Sequence, residues 1–176
     1  MYTLREAAGY LRVPKSTLQT WARPQRGSPL ITVFPRAGQQ ATMPFIGFAQ
    51  AYAVATLRCA GVPLRRIRQG VEIVRNDVEY ALASRRCFTV LSCDGIEYGR
   101  DGWASEIALP GYTDSHVIVN PEVAFGLPIV AGAGARVEDL VDRFLAGDTL
   151  TDIADDFDMT SREVEDVIRV ATRTAA

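Results

Sequence analysis

Apolar residues recur at helical spacing near both ends of the chain, and a strand-like stretch lies between. Leu4, Ala7, Ala8 and Leu11 fall at i, i+3, i+4 and i+7, one face of a helix. Thr3 stands before that run with Glu6 at capping-box spacing. Arg12-Val13 breaks the pattern. Pro14 suits the first position of a second helix, because the N–H it lacks would go unpaired there, and Pro24 sets the end near Arg23. Strand-like residues at 30–34 and 41–46 flank Arg36-Ala37-Gly38-Gln39-Gln40, which reads as a hairpin turn. Two helices follow: Phe45, Phe48, Ala49, Tyr52, Ala53 and Leu57 mark one, closed by Gly61, and Leu64, Ile67, Val71, Val74 and Val78 mark the next. Residues 87–120 lean to strand at 87–92, 96–98 and 116–119, with Asp94-Gly95 as a hairpin signal.

From Val137 onward the helical period returns three times. The stripes are Val137, Leu140, Val141 and Phe144; Leu150, Ile153, Ala154 and Phe157; and Val164, Val167, Ile168 and Ala171. Gly147 closes the first helix, Thr149 caps the second, and Thr160 with Glu163 forms a capping box for the third. Each helix has one apolar stripe to bury, against the other two or against another chain. The expected fold class is therefore mainly α with small β hairpins: an N-terminal winged helix-turn-helix and a C-terminal three-helix unit, itself helix-turn-helix-like. The expected division is 1–84, a β connector at 85–118 whose Trp103 and Tyr112 plug the junction, and 119–176.

Charge changes this picture. The 176 residues carry a formal net charge of only −2, yet residues 1–88 hold 13 basic and 4 acidic side chains and residues 89–176 hold 6 and 17. Such asymmetry suits a polyanion at one end and a basic partner at the other. His116 is the single histidine, which leaves little material for His-dependent catalysis or a multi-histidine metal site, and no cofactor is expected. Three cysteines without metal-finger spacing argue against a disulfide framework. The first residues lack an apolar export core, and no run is long enough to span a bilayer, so a cytoplasmic, non-enzymatic protein is expected.

The second helix splits into two sides. Leu18, Trp21 and Ala22 face inward with Val13, while Lys15, Ser16, Gln19, Thr20 and Arg23 form an acid-free outward face. A helix of this kind after a tight turn is what a helix-turn-helix places in the major groove. There, Gln reads adenine edges, Arg and Lys read guanine, and hydroxyls take phosphates or bases. The candidate DNA contacts are Lys15, Ser16, Thr17, Gln19, Thr20, Arg23 and Arg26, joined by Arg36, Gln39 and Gln40 on the hairpin as a wing; Arg65, Arg66 and Arg68 are further phosphate candidates. A solvated polar face is the plain alternative. In the last three helices Asp152, Asp155, Asp156, Asp158, Glu163, Glu165 and Asp166 are expected to face solvent, where they would repel phosphates and suit a basic protein. Calcium-loop spacing is absent from them.

Residues Tyr2-Thr3-Leu4-Arg5-Glu6-Ala7-Ala8, Val13-Pro14-Lys15-Ser16-Thr17-Leu18 with Trp21, and Leu57-Arg58-Cys59-Ala60-Gly61-Val62-Pro63-Leu64-Arg65-Arg66-Ile67-Arg68 resemble a MerR-type winged helix-turn-helix over residues 1–80. The long dimerisation helix that ends most members is not evident. Residues 117–173 resemble the domain of unknown function numbered four hundred thirty-three, through Asn120-Pro121, Gly126-Leu127-Pro128-Ile129-Val130, Gly132-Ala133-Gly134 and the helical stripes that follow. Ala133 stands where that family more often has Thr. The second resemblance implies an antitoxin of a type II toxin–antitoxin pair. Such an antitoxin neutralises a PIN-like ribonuclease toxin, as in VapBC systems, and represses its own operon from operator DNA as a homodimer. It implies a partner or dimer interface at Arg136, Leu140, Phe144, Phe157, Val164 and Ile168. A MerR-like regulator sensing a small molecule or a metal through Cys59, Cys87 and Cys93 is the alternative, although cysteines in such mixed contexts are more often buried core residues.

Overall fold

The computed structural model describes residues 1–24, 29–34, 41–81, 94–100 and 102–175, and it divides into two units, Met1–Ala104 and Ser105–Ala176. The division falls inside the segment read as a connector.

In the first unit, β1 (Tyr2–Thr3) leads into α1 (Leu4–Leu11), whose start is closed by the expected capping box. Glu6 N–H donates to Thr3 Oγ1 at 3.2 Å, and Thr3 N–H donates to the Glu6 carboxylate at 2.7 Å. Arg12 ends α1 in the left-handed region (φ 53°), where its N–H and that of Val13 return to the Gly9 and Ala8 carbonyls. Three residues then suffice to start α2 (Lys15–Ala22). Pro14 lies just outside this helix as its N-cap rather than as its first residue, because its ψ of 139° is extended. Its carbonyl still accepts from the Thr17 and Leu18 N–H groups. Leu18 and Trp21 are buried against α1, each worth about 1.5–3 kcal/mol of burial.

Among the described residues, strand pairing here joins β2 (Thr42–Met43) to β1, with register Tyr2 to Met43, and forms a bridge between Phe34 and Thr42. Leu30 and Ile31 are core residues in irregular chain instead, and Leu30 N–H holds the end of α2 through the Trp21 carbonyl. Phe45 and Ile46, read as strand, open α3 (Phe45–Cys59), because Pro44 starts that helix. Gly47 explains how closely α3 approaches: a Cβ there would lie 2.1 Å from the Thr32 carbonyl oxygen. Tyr2, Tyr10 and Phe48 complete the core as a ring cluster with centroids 5.0–6.3 Å apart. After the Gly61 turn comes α4 (Leu64–Ala81). β3 (Ile96–Tyr98) closes the unit, tied to α3 by the Tyr52 hydroxyl donating to the Asp94 carbonyl at 2.9 Å.

In the second unit, β4 (Ala104–Ala108), β5 (Val117–Val119) and β6 (Ile129–Val130) run antiparallel, with Ile107 opposite Val119 and Ile118 opposite Ile129. β4 and β6 escape a reading by alternation, because the Ala-Ser-Glu-Ile-Ala run of β4 does not alternate and the two-residue β6 sits inside an apolar, glycine-rich run. The three expected helices follow as α5 (Val137–Ala146), α6 (Leu150–Asp156) and α7 (Ser161–Ala175). Their ends use the predicted devices: Gly147 in the left-handed region, the Thr149 hydroxyl on the Asp152 N–H, and the Thr160–Glu163 box. Asp158, at φ 53°, turns the chain between α6 and α7. The stripes bury one another: Leu140, Ile153, Val164 and Val167 are each 0% exposed.

Candidate nucleic-acid interface

The first unit presents α2 as an outward-facing helix. Lys15, Ser16, Gln19 and Arg23 are exposed, Thr17 and Thr20 are half-buried, and Leu18 and Trp21 hold the opposite side in the core. Arg23 stands one residue past the helix as its extended C-cap. Neither Lys15 nor Arg23 has an ion-pair partner among the described residues, so both charges remain for an external anion. No side chain caps the start of α2, which leaves its first N–H groups to an outside acceptor such as a phosphate. The Thr20 hydroxyl donates to the Ser16 carbonyl at 2.8 Å. Its proton is thereby committed, and its lone pairs are left for a donor such as a base amino group. Arg26, Arg36, Gln39 and Gln40 lie outside the described residues. Arg65 and Arg66 are exposed at the start of α4.

The α6–turn–α7 pair also turns at a left-handed residue, Asp158, and its chemistry differs. Arg162 pairs with Asp114 at 2.7 Å, and Arg169 pairs with Asp166 at 2.8 Å. Arg143 is held by Asp148 and Asp156, each at 2.6 Å, over the Phe157 ring. Asp152, Asp155, Asp156, Asp158 and Glu165 are exposed. Asp166 departs from the sequence reading: it is 1% exposed, not solvated. Its carboxylate accepts from the N–H groups of Thr113, Asp114 and Ser115 at 2.8–3.2 Å and from the Ser115 hydroxyl at 3.0 Å, besides Arg169. Burial alone would raise its pKa. The Asp114 N–H, Arg169, the Thr113 N–H and the Ser115 hydroxyl together outweigh that and hold it well below the usual carboxylate range. Val170, four residues on and off the apolar stripe, was the one available sequence signal that this side of α7 is also buried.

Residues 1–71 match a family described as "Putative DNA-binding HTH domain", and residues 117–171 match "Protein of unknown function (DUF433)". The chain is 32% identical to the "Putative antitoxin VapB45" of Mycobacterium tuberculosis (strain ATCC 25618 / H37Rv), with 96% of this chain and 92% of that protein covered. This chain belongs to the VapB45 family. The crystal structure of Rv2018 from Mycobacterium tuberculosis is also similar, with a TM-score of 0.75 and 32% identity over 95% of this chain and 96% of that one. The VapB45-family chain thus carries a helix-turn-helix DNA-binding domain at its N-terminus and a DUF433 domain at its C-terminus.

Within that domain the residues expected at a partner or dimer interface separate into two groups. Leu140, Val164 and Ile168 are buried inside the unit, because the stripes of α5 and α7 close on each other, so they serve its own core. Phe144 is 39% exposed, Phe157 is half-buried under Arg143, and Arg136 is exposed but paired in bidentate fashion with Asp139 at 2.6 and 2.9 Å. Trp103, read as a junction plug, is half exposed. Cys59 is a free, exposed thiol on the last turn of α3 rather than a core residue, and Cys87 and Cys93 lie outside the described residues. No group of three metal-ligating side chains occurs among the described residues, nor is any described helix long and apolar enough to cross a membrane.

Proposed function

We propose that this chain is an antitoxin of a type II toxin–antitoxin pair. It binds operator DNA through residues 1–84 to repress its own operon, and neutralises a PIN-like ribonuclease toxin through residues 119–176, with 85–118 joining the two. The observation that carries the reading is the exposed, acid-free face of α2, with Lys15 and Arg23 lacking ion-pair partners among the described residues, joined in one chain to a unit whose arginines are largely committed to its own carboxylates. Lys15, Ser16, Gln19, Thr20 and Arg23 read the groove and Thr17 supports them from the flank, while Arg26, Arg36, Gln39 and Gln40 add backbone contacts. The protein works in the cytoplasm as a homodimer, which sets two recognition helices about one DNA turn apart (roughly 34 Å). It has no catalytic step of its own. Kinship with VapB45 supports the antitoxin role.

Two assays test this. In the first, the gene adjacent to this one is induced alone and then together with the full chain; arrest of growth that the full chain relieves is expected. In the second, Gln19→Ala and Arg23→Ala are titrated against the promoter of the same operon and against unrelated duplex. Each is expected to lose about 1–3 kcal/mol of discrimination for every base contact removed. Unchanged sequence preference in both variants would clear α2 of base reading.

A further inference from the structure

The second unit holds one aromatic side chain almost wholly in water on a backbone that resists it. Phe125 is 95% exposed, and both it (φ 57°) and Ala124 (φ 48°) lie in the left-handed region, which residues bearing a Cβ seldom enter. The segment is nonetheless fixed on all sides. Glu122 N–H donates to Asn120 Oδ1 at 2.9 Å and Val123 N–H to the Asn120 carbonyl at 3.1 Å. Gly126 N–H returns to Val123 at 2.9 Å, and Leu127 N–H to Ala124 at 3.0 Å. On the far side Gly126 and Pro128 are buried, and the Pro128 carbonyl accepts from Val137 N–H at the start of α5. Pro121 and Glu122 are exposed beside Phe125, and Val123 is 43% exposed. The result is a short, rigid, largely apolar ridge with one carboxylate. Strain kept by surrounding hydrogen bonds clusters at functional positions, and aromatic side chains are enriched at protein interfaces.

We infer that the Pro121–Phe125 ridge is the docking element for a basic protein partner, with Phe125 entering an apolar pocket and Glu122 meeting a cation at its rim. Charge selects the occupant. Residues 105–176 hold 14 acidic and 5 basic side chains, so a second copy of this unit would approach against its own field, whereas a basic protein is drawn in. Because the segment is already ordered, little conformational entropy is lost on docking. The inference rests on the antitoxin reading, since the partner meant is the proposed toxin.

The test uses the full chain, and the probe is the protein encoded by the adjacent gene, produced with it. Wild type is expected to co-purify with that protein and to relieve its growth arrest. Phe125→Ser is expected to weaken binding at least tenfold and to lose the relief, while DNA binding stays unchanged. Phe125→Gly supplies the control for folding. With the Cβ removed from a left-handed position, its melting temperature should hold or rise even as binding is lost. If wild type ignores the adjacent protein, the antitoxin reading falls and this inference with it. If wild type binds and both variants bind equally well, only the ridge is refuted. Sedimentation of wild type as a dimer that Phe125→Ser dissociates would assign the ridge to a second copy and overturn the proposal.

Discussion

Two helix-turn-helix pairs lie in this chain, and their difference lies in what their cations are doing. In α1–turn–α2 the turn is built by a left-handed Arg12, and the exposed helix face carries Lys15 and Arg23 without ion-pair partners among the described residues. In α6–turn–α7 a left-handed Asp158 makes the turn, but Arg162 and Arg169 on the second helix are bound to Asp114 and Asp166. A left-handed residue turns the chain in both pairs, whereas cations without ion-pair partners among the described residues stand on the first. A helix-turn-helix is therefore a way of presenting a helix, and its ligand is decided by which side chains are left unneutralised.

The largest effect is expected at Asp166, on which the second pair depends. Replacing it with Ala removes a buried carboxylate while leaving the N–H groups of Thr113, Asp114 and Ser115 without their acceptor. A loss of about 3–5 kcal/mol from the second unit is expected in urea unfolding, with DNA affinity unchanged. The same residue predicts a pH dependence. Its folded pKa is depressed, so its stabilisation is fully present above the unfolded carboxylate value of about 3.9 and is lost as pH falls through and below that value. Unfolding followed from pH 7 to pH 3 should show this loss in wild type, and Asp166→Asn should flatten it.

The first pair is vulnerable through its frame rather than its charges. Gly47→Val places side-chain atoms on the Thr32 carbonyl and should cost about 1–3 kcal/mol or more in thermal unfolding, lowering DNA affinity with it. A smaller change separates the two turns. Arg12→Gly relieves the left-handed residue after α1 and should stabilise the first unit by about 1 kcal/mol or less, because glycine's greater unfolded-state freedom offsets part of the relief, read as a small rise in melting temperature. A fall instead would mean that the Arg12 side chain contributes more than its backbone costs.

Much of this was legible along the chain, for a physical reason. Helices announce themselves through local period and local caps, so Thr3 with Glu6, Thr149, Thr160 with Glu163, and Gly147 all act where the sequence put them. The α2 face was legible for the same reason, because Leu18 and Trp21 fix which side is inward. What stayed hidden depends on distant partners. Asp166 looked like one more solvated acid because the N–H groups that donate to it lie 51–53 residues away. Leu140, Val164 and Ile168 looked available to a partner because a stripe says only that a face must be covered, not by what. β1 and β6, with two residues each, are too short for alternation to register, the Ala-Ser-Glu-Ile-Ala run of β4 does not alternate, and the left-handed turn at Phe125 has no sequence rule that would place an aromatic there.

Lys15 and Arg23, without ion-pair partners among the described residues, and Arg162 and Arg169, which have them, should respond differently to salt. Affinity of the full chain for its promoter should be measured across a range of salt concentrations for wild type, Lys15→Ala with Arg23→Ala, and Arg162→Ala with Arg169→Ala. The first pair of substitutions should flatten the slope of log K against log salt by about 0.9 for each phosphate no longer neutralised, and the second should leave it unchanged. A slope that ignores Lys15 and Arg23 but flattens when Arg162 and Arg169 are removed would place the DNA on the wrong helix pair and overturn the assignment.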